Sequence, residues 1–212
     1  KKALDTLLGV LKNWKRNSFG GFWHKNWHQN QMWLDGLYMA GSLEAEYAKK
    51  FDKTEFLETA IEQTFIMAEH MSDEKTGLLY HGWDEEKKEW WADPETGISK
   101  EFWGRAMGWY AVAILDILKF MPAEHKRYKD MVALEKRCLE GIIKFQDEKS
   151  GMWFQVMDKG NLSDNWLETS CSALFAYAVS RGVKEKIIDE KYMENAWKAF
   201  FGIIKNSTEI KD

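Results

Sequence analysis

The sequence predicts an all-α protein assembled from helical hairpins, on three observations. Apolar residues at helical spacing run through most of its 212 residues. β-branched residues are sparse outside those segments, so no substantial sheet is expected. A unit of helix, glycine turn with aromatic residues, loop and helix recurs along the chain. Seven helices are expected, near residues 2–13, 29–50, 54–71, 101–120, 127–146, 166–181 and 189–205. In the first, Leu4, Leu7, Leu8 and Leu11 fall at i, i+3, i+4 and i+7 and share one face. Segments 29–50 and 101–120 are apolar on more than one face, which suits inner helices ringed by others. Segments 127–146 and 189–205 carry charge on one side, like an outer layer. The short Gly- and aromatic-rich passages between helices can pair as small hairpins.

The repeat is read from Asp73-Glu74-Lys75-Thr76-Gly77-Leu78-Leu79-Tyr80, which returns as Asp147-Glu148-Lys149-Ser150-Gly151-Met152-Trp153-Phe154. The match continues to Asp84 and Asp158 at the same offset, and a weaker version is Gly21-Phe22-Trp23-His24. A helical hairpin cannot bury its apolar face alone and must stack on its neighbours. Such hairpins build an open solenoid or close into an α/α toroid. Closure needs more helices than seven. The first helix has no N-cap residue or initiating Met before it, and the chain stops at 206–212 just after a helix-like stretch. The expectation is therefore a piece of a longer protein.

Composition excludes several partners. A formal net charge of −4 with no basic run leaves no cationic footprint for nucleic acid or an anionic membrane. No apolar stretch approaches the roughly 20 residues that span a bilayer. Cys138 and Cys171 make neither a disulfide framework nor a zinc site. With no signal peptide, the cytoplasm is the default compartment and the periplasm the alternative. The outlier is aromatic: 12 Trp, 12 Phe and 7 Tyr, which suit loops or inner walls offering flat apolar faces.

The most informative stretch runs from Gly20 to Lys25 and on through Gln31 to Met39. On a helix, Asp35 shares a stripe with Met32 and Met39 and is flanked by Trp33 and Tyr38. A carboxyl held against Met and Trp has its pKa raised by desolvation, which suits a general acid. The competing reading is an Asp near a helix start that satisfies free N–H groups. His24 and His28 sit four apart, but Gly20-Gly21 upstream argues against a helix there and no third ligand is evident, so no metal is expected. His81 stands beside Trp83 at the hairpin position equivalent to His24, either as a structural hydrogen-bonder or in the site. Arg105 and Trp109 are i, i+4 neighbours on the most apolar helix. A buried Arg needs an anion, from a protein carboxylate or from a ligand. Gly104 and Gly108 on the same helix cost stability unless something packs closely there. Trp90 and Trp91, in the polar insert 84–100, either fold under as core, the commoner answer, or line an opening.

Together these pieces make a wall of Trp, carboxylate, Arg and His. Indoles stack on sugar C–H faces and an Arg fork suits a carboxylate, so an acidic sugar is favoured. A nucleotide is disfavoured, since no Gly-rich phosphate loop occurs.

At these residues the sequence closely resembles the unsaturated rhamnogalacturonyl hydrolases of glycoside hydrolase family 105, relatives of the unsaturated glucuronyl hydrolases of family 88. The motifs are GGFWHK at 20–25, QMWLDGLYM at 31–39, DEKTGLLYHGWDE at 73–85, WADPETG at 91–97, EFWGRAMGWY at 101–110, QDEKSGMWFQVMDKG at 146–160 and SDNWLETS at 163–170. The likeness covers essentially the whole chain. It implies one partial domain over 1–212 of an (α/α)6 toroid, lacking N-terminal hairpins and the last C-terminal hairpin. The implied activity removes a 4,5-unsaturated galacturonyl residue from the non-reducing end of pectin fragments, without a cofactor. The resemblance places the proton donor on Asp35. It places substrate contacts on His24, Lys25, Trp33, His81, Arg105 and Trp109. A second Asp, with aromatic and His residues, is implied to come from hairpins preceding this region. The polypeptide alone is then expected to be inactive or very weak, with self-association or swapping covering the gap. Alternative readings are a non-catalytic sugar-binding or assembly piece, or another α/α-toroid enzyme such as a sugar epimerase.

Overall fold

The computed structural model describes residues 1–207. Residues 208–212, part of the tail beyond the last expected helix, lie outside that description. Seven α-helices are present among the described residues: α1 (Lys2–Lys12), α2 (Asp35–Phe51), α3 (Thr54–Met71), α4 (Gly104–Phe120), α5 (Tyr128–Lys144), α6 (Thr169–Lys184) and α7 (Met193–Ser207). Two three-residue strands, β1 (Gln31–Trp33) and β2 (Gly82–Asp84), pair antiparallel. The expected helix over 29–50 is thus corrected at its start. Residues 31–33 are extended because they find a partner some 50 positions away, with Met32 opposite Trp83 and Trp33 opposite Gly82.

The helices form two layers. α4 packs between α2 and α6, while α3 lies on α2, α5 on α4 and α7 on α6. The inner row is α2, α4 and α6, and the outer row is α3, α5 and α7, as an arc of an α/α toroid. Burial follows the sequence pattern. Of the 17 residues of α4, 12 are buried, covering its whole circumference, whereas α7 buries only Ala196, Ala199 and Gly202. The glycines of α4 are explained by α6. A Cβ on Gly104 would stand 3.0 Å from Cys171 Sγ, and one on Gly108 would stand 2.7 Å from Leu174 Cβ. Two inner helices meet at a distance only glycine allows. No helix among the described residues is long and apolar enough to cross a membrane.

The repeated turn has a physical basis. The Asp73 carboxylate accepts from the Thr76 amide and hydroxyl at 2.8 and 2.7 Å, and Asp147 accepts from the Ser150 amide and hydroxyl at the same distances. The glycine that follows has positive φ in each case, +81° at Gly77 and +72° at Gly151. A third copy, absent from the sequence reading, is Asp93-Pro94-Glu95-Thr96-Gly97, with Gly97 at +80°. The weaker copy uses Asn17, whose side chain accepts from the Gly21 amide at 2.8 Å, with Gly20 at +87°. The Asp73 and Asp147 turns leave the outer helices α3 and α5 and feed aromatic passages back toward the inner row, while the Asp93 turn closes the insert between β2 and α4. The likeness of Asp84 and Asp158 ends with the sequence, since Asp84 is buried and Asp158 exposed.

Candidate active site

The short β1–β2 pair brings the two most informative segments together. Asp35 follows β1 and opens α2, while His81 immediately precedes β2. The Leu34 amide donates to the His81 carbonyl at 3.1 Å, fixing the crossing. Asp35 Oδ2 then lies 3.8 Å from His81 Nε2. That is too long for a direct hydrogen bond. Both atoms are buried and neither has a hydrogen-bond partner. Each therefore keeps its hydrogen-bonding capacity for a third group.

Aromatic rings wall this pair. His24 stacks on Trp33 with centroids 4.4 Å apart, and His28 lies 4.7 Å from the same indole. Trp33 and Trp103 each meet His81 edge-on, at 5.1 and 4.8 Å. Trp91 stands perpendicular to Trp33 at 6.4 Å. The expected stripe of Met32, Asp35 and Met39 does not form. Met32 is buried in β1 beneath Gly21, and Met39 is exposed. The apolar walls around Asp35 come from other segments.

Burial sets the charge of both imidazoles. Desolvation, helped by Lys25, His28 and His81, pushes His24 down to about 4. Burial also lowers His81, against the opposing pull of Asp35. Both rings are thereby suited to hydrogen bonding as neutral groups. Formal positive charge comes from elsewhere. Lys25 is exposed beside His24, its Nζ 5.6 Å from the Trp27 ring centre. Arg105 lies over the Trp103 ring at 4.4 Å and 3.4 Å from Glu168 Oε1.

Burial would raise the Glu168 carboxyl, but hydrogen bonds from the Ser170 hydroxyl and the Cys171 amide, with Arg105 nearby, hold it below the ordinary glutamate value. The protein carboxylate that Arg105 requires is thus present, and the pairing leaves its side chain 41% exposed for a second anion. Trp109, one turn further along α4, packs on Tyr38 of α2 at 4.5 Å. Asp35, Arg105 and Glu168 mark the N-terminal ends of α2, α4 and α6. Three helix dipoles therefore aim their positive ends at one face, a favourable field for an anion.

Sequence reasoning missed Trp103 and Glu168. Trp103 was legible as the residue before the Gly104-Arg105 helix start, and Glu168 as the residue that opens α6. Among the described residues no group of three His, Cys, Asp or Glu side chains gathers as metal ligands.

Trp90 corrects the expectation that it folds under as core: it is 91% exposed. The insert that carries it is nonetheless firmly built. Buried Asp84 accepts from the amides of Glu86, Lys88 and Glu89, and Gln31 donates to Glu89 at 2.7 Å. At Gly97 a Cβ would meet the Asp84 carbonyl oxygen at 2.1 Å. Gly97→Ala should cost about 1–3 kcal/mol and open the insert, because φ is positive and the clash is with backbone. Limited proteolysis should then cut within 85–98 well before the parent protein is cut there; equal resistance would contradict this.

The architecture and the site define a class: a glycosidase-like α/α arc with a carboxyl, two neutral imidazoles and indoles at the helix N-termini. The glycosyl hydrolase family 88 model matches residues 1–212, and the chain belongs to that family. It is similar to a structure from C. acetobutylicum described as a glycoside hydrolase from family 105, with 40% identity and a TM-score of 0.95, covering 100% of this chain and 59% of that one. A possible family 105 member from Salmonella enterica gives 27% identity and a TM-score of 0.85, covering 97% and 53%. The unsaturated rhamnogalacturonyl hydrolase YesR of Bacillus subtilis is 26% identical over 180 residues, 85% of this chain and 48% of that protein. Protein Atu3128 of Agrobacterium fabrum is 37% identical over 139 residues, 66% of this chain and 58% of that one. The chain thus spans about half the length of the curated relatives it matches. A cellobiose 2-epimerase from Bacillus thermoamylovorans, at 11% identity and a TM-score of 0.76, shares the fold alone.

Proposed function

We propose that this region carries the acid centre of a hydrolase that removes a 4,5-unsaturated galacturonyl residue from the non-reducing end of pectin-derived rhamnogalacturonan oligosaccharides. The observation that carries the reading is the buried, unpartnered Asp35 Oδ2, 3.8 Å from the equally unpartnered His81 Nε2. In this reading Asp35 delivers a proton to C4 of the enol ether, which leaves positive charge shared by C5 and the ring oxygen. Water adds at C5, its proton returns to Asp35, and a hemiketal results. The hemiketal opens to a ketone at C5, C1 is left as a hemiacetal, and that centre releases the leaving sugar as an alcohol. One carboxyl cycling between acid and base suffices.

His24 and His81, as neutral rings, bond sugar hydroxyls. Lys25 and Arg105 face the uronate carboxylate, and Trp33 and Trp109 supply apolar faces. The similarity to the unsaturated rhamnogalacturonyl hydrolase YesR supports the choice of substrate.

We read residues 1–212 as one section of a catalytic domain whose ring is completed by further hairpins. Two apolar edges support this: Leu7 and Val10 of α1, and Trp197, Phe200 and Phe201 of α7, are all exposed. The test is a chimera in which this chain replaces the matching segment of the C. acetobutylicum protein, assayed on an unsaturated rhamnogalacturonan disaccharide. The chimera should erase the ultraviolet absorbance of the conjugated double bond, while the isolated chain should do so weakly or not at all. A chimera that leaves the absorbance intact while converting the sugar would favour epimerisation. Full activity in the isolated chain would refute the incomplete-ring reading.

A further inference from the structure

We propose that the insert between β2 and α4 is a platform for the sugar on the leaving side of the scissile bond, with the Trp90 ring as its stacking face. The inference rests on the hydrolase reading above and extends it to the second sugar. A cleft of about 600 Å³ opens beside His81 and is lined by Trp33, His81, Trp90, Trp91, Lys100 and Glu101, among others. Trp33 and His81 belong to the wall around Asp35, so the cleft continues the site rather than standing apart from it.

An indole left 91% exposed is unfavourable in water, and here it is not the product of a loose loop. Residues on both sides of Trp90 are fixed. Glu89 is held by the Asp84 carboxylate and by Gln31, and the Ala92 amide donates back to the Glu89 carbonyl at 3.0 Å. Beyond it, the Asp93–Gly97 turn closes, and the Ser99 amide donates to the Gly82 carbonyl at 2.8 Å. The fold therefore spends rigid structure on presenting one large flat ring to solvent at the mouth of the site.

A ring of this shape matches the C–H face of a pyranose. The neighbouring polar groups match its hydroxyls: Lys100 is exposed at the rim, and Glu101 is held by Lys159. Trp91, set perpendicular to Trp33, lines the same cleft. The occupant is the sugar attached to the unsaturated uronide, carried into the cleft by its own glycosidic bond.

The test is calorimetric titration of the chimera described above carrying Asp35→Asn, with and without Trp90→Ala. The probes are an unsaturated rhamnogalacturonan disaccharide and the methyl glycoside of 4,5-unsaturated galacturonate, which lacks the second sugar. Trp90→Ala should weaken the disaccharide about tenfold and move the methyl glycoside less than about twofold, and Trp90→Phe should restore most of the loss. Unchanged disaccharide affinity in Trp90→Ala, or equal losses for both probes, would overturn the platform. A chimera that binds the disaccharide in a Trp90-dependent way but ignores the methyl glycoside would keep the platform and remove the uronide reading. Binding of neither probe would overturn both.

Discussion

The Asp35→Asn protein is expected to hold an unsaturated uronide and fail to consume it. Asn preserves the shape of the side chain and its place in the first turn of α2, so the fold has no reason to change. What it removes is the proton. In the proposed reaction the same carboxyl gives a proton to carbon and then takes one from water, so no neighbour substitutes for it. His24 is held at about 4 by burial, and His81 is also lowered, leaving neither imidazole as a ready acid at neutral pH. General acid–base contributions are worth about 10²–10⁴ in rate, and the loss in kcat should sit at the upper end of that range. KM should move little, because Lys25, Arg105 and the indoles proposed to hold the sugar are untouched. The measurement is ultraviolet loss on the disaccharide by the chimera, with and without the substitution. An Asn variant working at the parent's speed would end the proposal, whatever else binds in the cleft.

Much of this site was legible because its parts are local. The helix over 54–71 was read from periodicity alone and matches α3, since its boundaries depend only on its own residues. Gly104 and Gly108 announced a close approach, and α6 provides it. The failures share one cause, contact with residues far away in sequence. Gln31 to Trp33 continue the helical pattern of apolar positions, but pairing with Gly82–Asp84 draws them into a strand. That pairing also changes what surrounds Asp35. Helical spacing put two methionines beside it, whereas the structure puts His81 there, from 46 positions further on. Trp90 was read toward the core because an exposed indole is costly. Nothing in its neighbours reveals that Asp84 and the Asp93 turn brace it outward. Local pattern thus named the candidate residues, while their mutual arrangement is tertiary information.

Glu44→Gln is expected to stabilise the protein, and to do so only above a definite pH. Glu44 lies on α2, two and a half turns beyond Asp35, and is 1% exposed. It borders a cavity of about 220 Å³ behind His24, lined by Leu11, Trp14, Phe22 and Met67 among others. Its Oε2 has no hydrogen-bond partner. Burial pushes the carboxyl up from 4.5 to about 7, with only partial relief from Arg16. The unfolded chain therefore loses this proton near pH 4.5, while the folded chain keeps it until about pH 7. Between those values the folded state binds more protons, so stability falls as pH rises and stays lower above pH 7. A rise from 4.5 to about 7 corresponds to about 3 kcal/mol. Gln is neutral throughout and avoids that loss. It should match the parent near pH 4, below the unfolded value, and exceed it by up to about 3 kcal/mol at pH 8, read from urea midpoints at the two pH values. His24 acts in the opposite sense. Its depressed value makes the folded state lose stability as pH falls from 6.5 toward about 4. That contribution is common to both proteins and cancels in the difference between them. A stability gap of the same size at both pH values would mean that Glu44 does not titrate with folding, and that Gln acts through packing alone.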